Sequence, residues 1–253
     1  MFEYRYPQFQ SKRLLRAEML DELRDYPLRF TELMWQDWAQ GVAAGCRISW
    51  AQGVLTVGSG IIYKNKRFYL MAEPYSMDCG PLDQIRYLKV KILPEHKSPG
   101  EIAGVGEIVL EERQPDDAFE LELCRFRLQE GARLRDRHEN FEDFSTEYDT
   151  VDFTYAPWAG KITSTLNPMV LARFAKEMLR LPQRGLEDVS FCLDILSTGG
   201  KICGEAVREY IRLKTGLRPE PGIRPMYEGL LGILKEQPEK SGNLSGKRDV
   251  LLI

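Results

Sequence analysis

The spacing of apolar residues near the N-terminus predicts two helices. Leu15, Met19 and Leu23 recur at about the helical period, and Ser11 stands where the N-cap of such a helix is expected. Pro27 predicts that this first helix ends and a second begins, because proline fits only the first turn of a helix. We expect the apolar stripe of the second helix to pack on the sheet that follows it. The stripe consists of Phe30, Leu33, Met34, Trp35 and Trp38.

From Gly41 to about Leu128 the apolar period changes to two, which predicts β-strands. The segment GVLTVGSGIIYKNKRFYLM, from Gly53 to Met71, holds three short apolar runs, and Asn65 lies in the polar turn before the last run. We expect a hairpin that is apolar on both faces, so each face requires cover from the rest of the chain or from another copy. The residues of its second face are Ile62, Tyr69 and Met71.

Two later strands show distinct patterns. Leu88, Val90 and Ile92 alternate with lysines, which predicts a half-buried strand. In the segment FELELCRFRL the apolar positions change face at Cys124, which predicts a β-bulge or a strand buried on both sides. Turn-rich linkers separate these short strands, and this arrangement favours an antiparallel sandwich or a small barrel.

Helical spacing returns after residue 160. Asn167 and Pro168 predict a helix start, and we expect four short helices as far as residue 236. The predicted fold class is therefore α+β, with N-terminal helices, a central antiparallel β-sandwich or small barrel, and a C-terminal helical bundle. The predicted divisions are an N-terminal arm with helices (1–40), a β-domain (41–160), a helical bundle (161–236) and a flexible tail with an apolar end (237–253).

Composition narrows the class of protein. The chain has 253 residues, of which 43% are hydrophobic and 29% charged, as in an ordinary soluble globular protein. The net charge of -3 argues against a general nucleic-acid binder. We expect no membrane helix and no signal peptide, because no apolar run is long enough for the first or suitably placed for the second. The five cysteines are scattered, so we expect reduced, buried thiols in a protein made in the cytoplasm.

The sequence contains no pattern that predicts catalysis. Gly199, Gly200 and Lys201 lack the flanks of a phosphate-binding loop, and neither histidine has a catalytic spacing. His138 precedes three carboxylates that could suit a metal, but solvated carboxylates are the commoner explanation of such a loop. We therefore expect no catalytic, cofactor-binding or metal-binding residues, and we interpret the chain as a non-enzyme. The three carboxylates are Glu139, Glu142 and Asp143.

Arginines crowd the segment CRFRLQEGARLRDRH. We call Arg125, Arg127, Arg133, Arg135 and Arg137 the arginine strip. One interpretation is an electropositive surface for phosphate, nucleic acid or an acidic partner. The other is pairing with carboxylates beside it, which the nearly even local charge favours. These carboxylates are Glu120, Glu122, Glu130, Asp136 and Glu139.

The segment from Gly41 to Met71 follows the pattern G-V-x-x-G-x-x-I, then G-V-L-T-V-x-x-G-I-I, a polar turn and F-Y-L. This pattern resembles the β-module near the N-terminus of many phage tail-fibre and baseplate proteins. The segment from Glu122 to Leu134 is similar to a further strand of such proteins. The helical C-terminal part departs from an ordinary fibre, so the resemblance implies an adaptor or baseplate component that self-associates or joins a ring. The residues that carry the first likeness are Val42, Gly45, Ile48, Gly53, Leu55, Val57, Gly60, Ile61, Asn65 and Tyr69.

The leading hypothesis is a non-enzymatic structural component of a phage or phage tail-like contractile particle, acting in baseplate assembly or tail-fibre attachment. The resemblance implies other tail or baseplate proteins and copies of itself as partners, within a virion or tail-like particle assembled in the bacterial cytoplasm. We expect the aromatic N-terminal arm, the hairpin and the apolar C-terminal end to dock on neighbours. The predicted partner-binding residues are Phe2, Tyr4, Tyr6, Phe9, Ile62, Tyr69, Met71, Val250, Leu251, Leu252 and Ile253.

Two other hypotheses remain open at this point. The alternative is a nucleic-acid-binding accessory protein that uses the arginine strip. The third is an enzyme that acts on carbohydrate through carboxylates such as Glu139 and Asp143.

Overall fold

The computed structural model describes residues 3–4, 7–12 and 14–236. It confirms the α+β class, with an N-terminal helix, central antiparallel sheets and C-terminal helices. The helices are α1 (Ala17–Met34), α2 (Pro168–Met178), α3 (Leu186–Ser197), α4 (Gly204–Thr215) and α5 (Ile223–Glu236). The strands are β1 (Gly41–Gly45), β2 (Ile48–Ala51), β3 (Val54–Val57), β4 (Gly60–Lys64), β5 (Arg67–Met71), β6 (Tyr75–Asp78), β7 (Leu82–Ile92), β8 (His96–Lys97), β9 (Ile102–Ala103), β10 (Gly106–Glu111) and β11 (Glu120–Leu128).

The strands form three antiparallel sheets and a two-stranded ribbon. The sheet orders are β1-β4-β5, β2-β3-β6 and β10-β7-β11, and β8 pairs with β9. Val42, Leu55 and Leu88, one from each sheet, are buried in a single apolar core. Among the described residues no sheet closes into a barrel, so the sheets instead pack around this shared core.

The segment from Gly53 to Met71 forms one hairpin, not a continuous set of paired strands. β4 and β5 pair as expected, and Asn65 and Lys66 adopt φ angles of 50° and 62° in the turn between them. β3 instead pairs with β2 and β6, so the chain changes sheet between β3 and β4. A Cβ on Gly60 would lie 2.4 Å from Sγ of Cys46, so this crossing requires a glycine where two segments approach closely.

β7 is the central strand of the third sheet. The predicted change of face in β11 is confirmed, because its register against β7 shifts between Glu122 and Cys124. This strand is also buried on both sides, since Leu121, Leu123 and Cys124 are all buried. The prediction of a half-buried β7 was wrong at Lys89, whose side chain is fully buried.

Four helices form the C-terminal part, as predicted. Asn167 Oδ1 accepts a hydrogen bond from the Met169 amide at 2.9 Å, and Pro168 is the first residue of α2. α5 begins at Ile223, and Pro225 lies in its first turn, where a proline is tolerated. Within the described part of the chain, no helix is both long enough and apolar enough to span a bilayer.

Between β11 and α2 the chain is irregular, with one short 3-10 turn at Glu142–Ser145. Leu134, Phe141 and Val151 from this region are nevertheless buried in the core. The hydroxyl of Tyr227 in α5 donates to the Phe141 carbonyl at 2.9 Å. The irregular segment therefore joins the sheets to the helices.

The N-terminal helix departs most from the prediction. α1 is one helix that contains Pro27 and begins at Ala17, so the expected break and the expected cap at Ser11 were wrong. Leu, Glu, Arg and Met favour helix and surround the proline, which explains why the helix continues.

No residue of α1 is buried, so the predicted packing of the stripe on the sheet was wrong for Phe30, Leu33 and Met34. It is confirmed for Trp35, whose ring packs against those of Tyr63 and Phe68 in the β4–β5 hairpin. Within the stripe, the half-buried residues are Trp35 and Trp38, which follow the helix.

Candidate functional site

One side of α1 exposes a continuous row of apolar side chains. Residues at helical spacing along this side share one face, which is the pattern of an amphipathic helix. The row is accessible, since Leu23 is 54%, Phe30 57% and Leu33 67% exposed. We call this surface the α1 seam, and it consists of Met19, Leu20, Leu23, Tyr26, Phe30, Leu33 and Met34.

The described part of the N-terminal arm lies against the N-terminal half of α1. Glu3 borders a cleft of about 540 Å³ together with Asp21, Asp25 and Tyr26, of which Tyr26 belongs to the seam. Asp21 and Asp25 point away from the seam, because each comes two positions after a seam residue, which is about half a helical turn.

Two predicted contact residues of the arm, Tyr4 and Phe9, are exposed. Phe9 lines a second cleft together with Met19, so the arm borders the N-terminal part of the seam. Phe30, Leu33 and Met34, near the other end of the seam, remain exposed.

The last turn of α1 is attached to the outer face of the β4–β5 hairpin. The ring of Trp35 lies 4.9 Å from that of Phe68 and 5.5 Å from that of Tyr63, centroid to centroid. Tyr63 donates its hydroxyl hydrogen to the Trp35 carbonyl at 3.3 Å, and Arg67 pairs with Glu32. The chain itself therefore covers this part of the hairpin, which was one of the two expectations from the sequence.

The second face of the hairpin points into the protein. Ile62 is only 4% exposed and belongs to the core. Tyr69 and Met71 are half-buried, pack on the core and line a cavity of about 310 Å³ with Cys46. Burial raises the pKa of the Cys46 thiol to about 11. The chain itself therefore buries Ile62, which was one of the two expectations for this face, and Ile62 is not available to a partner as predicted. Leu70, on the opposite face, is 73% exposed.

The remaining predicted partner-binding residues lie outside the described residues. They are Phe2, Tyr6, Val250, Leu251, Leu252 and Ile253. Their role stays a prediction.

Arg125 is the centre of a charge network between β11 and α5. Its guanidinium donates hydrogen bonds of 2.7 and 2.8 Å to Glu122 and lies 3.4 Å from the ring centroid of Tyr155. Arg224 of α5 lies 5.1 Å from the same ring, and its Nη1 is 3.9 Å from an oxygen of Asp152. Burial raises the pKa of both Glu122 and Asp152, and Arg125 opposes this change at Glu122. The network holds the sheet against the helices.

Two further members of the arginine strip are also paired with carboxylates. Arg127 Nε donates to Asp83 at 2.8 Å, and Arg135 Nη2 donates to Asp143 at 2.6 Å. Pairing with carboxylates is therefore the better interpretation for most of the strip. Of the carboxylates expected as partners, Glu122 pairs with the strip, and the other observed partners come from elsewhere in the chain. The members for which the described residues show no ion pair are Arg133 and Arg137, both exposed.

Two buried lysines were not predicted from the sequence. Lys89 Nζ lies 3.0 Å from Glu120 and 2.9 Å from Glu111, inside the third sheet. Lys64, expected in a polar turn, is 1% exposed and donates to the carbonyl of Asp117. No local signal marks either lysine, because each partner comes from a distant segment of the chain.

His138 is a core residue. It is buried, stacks on Phe144 at 3.9 Å and places Nε2 2.7 Å from the carbonyl oxygen of Val151. Burial lowers its pKa. Burial also opposes ionisation of Asp143, but hydrogen bonds from Arg135 and other donors outweigh it and lower that pKa. Residues 3–4, 7–12 and 14–236 contain no group of three or more residues suited to hold a metal ion.

The solved structures that resemble this chain include TssK and a baseplate subcomplex that contains TssK. No protein-family model and no curated protein matches the chain. A crystal structure of TssK is 12% identical, with a TM-score of 0.37 over 91% of this chain and 68% of that one. A chain of the type VI secretion system TssK-TssF-TssG baseplate subcomplex, determined by cryo-electron microscopy, is 11% identical, with a TM-score of 0.40 over 92% of this chain and 100% of that one. Both scores lie below 0.5, so these likenesses do not establish a shared fold or function.

Proposed function

We propose that this chain is a non-enzymatic structural subunit in the baseplate or fibre-attachment region of a contractile phage tail or tail-like injection particle. It acts by holding neighbouring proteins of the particle through apolar contacts. The observation that carries the proposal is the α1 seam, an apolar row on a helix without a single buried residue.

The seam is large for a protein that works alone. The exposed fractions of its side chains amount to on the order of 700 Å², whereas the largest apolar patch of a typical monomer is about 300–600 Å². Leaving such a surface in water is unfavourable, since burying apolar area is worth about 25 cal/mol per Å². A protein surface that covers the seam removes this penalty.

The charged groups support a structural role as well. Glu122 and Asp152 could have served as an acid and a base, because their pKa values are raised by burial. Both are instead bound within the chain, Glu122 by Arg125 and Asp152 by the amide and hydroxyl of Thr154. The network thus links the sheets to the helices and leaves no free acid–base pair at this position.

The class of particle rests on the sequence likeness of one segment. Gly41 to Met71, which becomes strands β1 to β5, resembles the β-module of tail-fibre and baseplate proteins. This likeness supports a place at the end of a tail or tail-like tube.

Copurification tests the proposal. The tagged chain is expressed in the organism that encodes it, as wild type, as a Leu23→Glu/Phe30→Glu variant and as a Leu213→Glu/Leu217→Glu control. Leu213 and Leu217 are 67% and 77% exposed near the end of α4, so the control adds the same charge away from the seam. We expect wild type and control to retain sheath and tube proteins and the seam variant to lose them. A wild-type chain that stays monomeric and elutes alone contradicts the proposal.

The nucleic-acid alternative has less support, because three members of the arginine strip are already paired with carboxylates. Its remaining basis is the exposure of Arg133 and Arg137. Salt-sensitive binding to DNA or RNA that Arg133→Glu abolishes would revive it, and Lys201→Glu, at another exposed position, is the matched control.

A further inference from the structure

We propose that a cleft walled by tryptophans binds one aromatic side chain of a neighbouring protein, a side chain with carboxylates next to it in that protein. The cleft lies between the end of α1, the segment before α2 and the α3–α4 loop. The inference rests on the proposed function, since it names the chemistry of a partner in the particle. We call this surface the tryptophan cleft, and the residues that carry the argument are Trp35, Trp38, Trp158, Lys161, Thr165 and Lys201.

Three of the four tryptophans of the chain meet in this cleft. The ring centroids of Trp35 and Trp38 lie 4.2 Å apart, and Trp158 lines the cleft with them. All three side chains are half-buried. Large aromatic rings that keep part of their surface in water are the usual anchors of protein interfaces. The cleft therefore offers aromatic surface on which a further ring can stack.

The size of the tryptophan cleft fits one side chain. Its volume is about 210 Å³. Sites for whole small molecules usually hold about 300–1,000 Å³. The volume therefore favours a single large side chain that a protein partner inserts.

A buried hydroxyl in the wall indicates which kind of ring fits. Thr165 is 2% exposed, and its Oγ1 has no hydrogen-bond partner among the described residues. Its backbone is fixed, because the amides of Trp158 and Thr165 each donate to the carbonyl of the other at 2.9 Å. A buried hydroxyl without a partner is unfavourable. The side chain of a tryptophan or a tyrosine supplies the missing partner, because each ring carries a polar N–H or O–H group.

The charge of the cleft selects what stands beside that ring. Two lysines line the cleft, Lys161 and Lys201, and no acidic residue does so among the described residues. Both lysines are exposed, and the described part of the chain shows no ion pair for either. Aromatic walls often bind cations, but the two positive charges oppose a cationic guest here. Carboxylates next to the inserted ring match the lysines.

A strained turn holds one of these lysines in place. Ile162 has a φ of 70°, which a β-branched residue rarely adopts. The Ile162 amide donates to the Asp37 carbonyl at 2.7 Å, and Cys203 Sγ donates to the Lys161 carbonyl at 2.8 Å. Backbone strain of this kind is frequent at binding sites. The two hydrogen bonds fix the backbone of Lys161 beside the rings.

Titration of the full chain with the peptide acetyl-Glu-Trp-Glu amide tests the inference. Only the protein carries ¹⁵N, so its indole signals report the cleft, and Trp50, which lies outside the cleft, is the internal reference. We expect the signals of Trp35, Trp38 and Trp158 to shift with a Kd below about 1 mM. The affinity should fall at least about fivefold when glutamine replaces both glutamates of the peptide, and at least about tenfold when alanine replaces its tryptophan.

Three results of this titration overturn the inference. One is the absence of any shift beyond that of Trp50 at about 5 mM peptide. Another is equal binding of the peptide with lysine in place of glutamate. The third is tighter binding of indole-3-acetate than of the peptide, which indicates a site for a small molecule.

Variants of the protein separate binding from folding. Thr165→Val keeps a similar shape and removes the unpaired hydroxyl, so we expect an equal or higher urea midpoint but an affinity about fivefold lower. Lys161→Glu should lower the affinity about tenfold, whereas Lys176→Glu, at an exposed position of α2, binds like wild type. Circular dichroism verifies that each chain is folded. A folded Thr165→Val or Lys161→Glu chain that binds like wild type overturns the inference, and so does an equal loss in Lys176→Glu.

The two proposals fail separately. A chain that copurifies with sheath and tube proteins but binds no peptide overturns the tryptophan cleft and leaves the structural role standing. A chain that binds the peptide but copurifies with no particle protein supports the cleft and contradicts the structural role.

Discussion

Lys89 gives a quantitative test of how the third sheet is held together. Its ammonium lies 3.0 Å from Glu120 and 2.9 Å from Glu111, and it donates to the carbonyl of Arg113 at 3.1 Å. At an effective dielectric constant of about 20, one such attraction is worth about 5 kcal/mol before desolvation is subtracted. Lys89→Met keeps the apolar stem but leaves Glu120, which is 3% exposed, with fewer partners. We expect the free energy of unfolding to fall by about 3 kcal/mol.

The double variant Lys89→Met/Glu120→Leu separates the charge pair from the packing. Removing both charges leaves no buried ion, so its loss of stability should be smaller than the sum of the single losses by about 2–3 kcal/mol. Urea unfolding followed by circular dichroism measures all variants, with the exposed Lys91→Met as a control near zero. If the single losses simply add, or if Lys89→Met costs less than about 1 kcal/mol, the reasoning about this pair is refuted.

Two smaller predictions concern the helices. Burial opposes ionisation of Asp188, but hydrogen bonds from Tyr210 and Lys214 outweigh it and hold the pKa of Asp188 below 3.8. The ionised Asp188 therefore stabilises the fold above that pH, and this contribution is lost as the pH falls through the lowered pKa. Asp188→Asn should flatten the acid side of the stability profile, measured by urea midpoints from about pH 2 to 6. Gly216 ends α4 at a φ of 77°, where an added Cβ would meet open space but would strain the backbone, so Gly216→Ala should lower the free energy of unfolding by about 1 kcal/mol. Gly232→Ala, inside α5, should raise it by about 0.5–1 kcal/mol, because alanine favours helix. Equal signs for the two glycine variants, or an unchanged pH profile, would contradict these assignments.

Features that depend on local chemistry were predictable from the sequence. Asn65 marks the turn of the β4–β5 hairpin because asparagine tolerates positive φ, and Asn167 with Pro168 marks the start of α2. The bulge at Cys124 followed from a change in the face of the apolar positions. In each case the cause lies within a few residues of its effect.

Features that depend on distant segments were not predictable. Lys89 alternates with apolar residues, which is the pattern of an exposed lysine. It is nevertheless buried, because it pairs with Glu120 of the neighbouring strand β11. The sequence predicts that β3 and β4 pair, yet β3 pairs with β2 and β6. The close approach of Gly60 to Cys46, which accompanies this change of sheet, cannot be predicted from the sequence of a single strand.

The candidate site was predictable only in part. The apolar residues of α1 were recognised as a stripe, but the pattern does not tell whether the covering surface is the chain's own sheet or another molecule. Pro27 also predicted a break in α1, so the apolar residues from Met19 to Leu33 could not be recognised as one row on a single helix. For Ile62, periodicity gave the right face but left open whether the chain or another copy covers it, and the structure shows that the chain does.

The most direct test of the proposed role is whether protein covers the α1 seam in the working assembly. Met34 in the seam is 61% exposed, and Met169 of α2, at 43%, serves as the internal reference. Oxidation by hydrogen peroxide, read by peptide mass spectrometry, is compared between the isolated chain diluted to about 0.1 µM and the particle purified from the organism that makes it. We expect Met34 to oxidise at least about fivefold more slowly in the particle relative to Met169, because a covering protein surface excludes the oxidant. Equal relative rates in the two samples would contradict the covering of the seam.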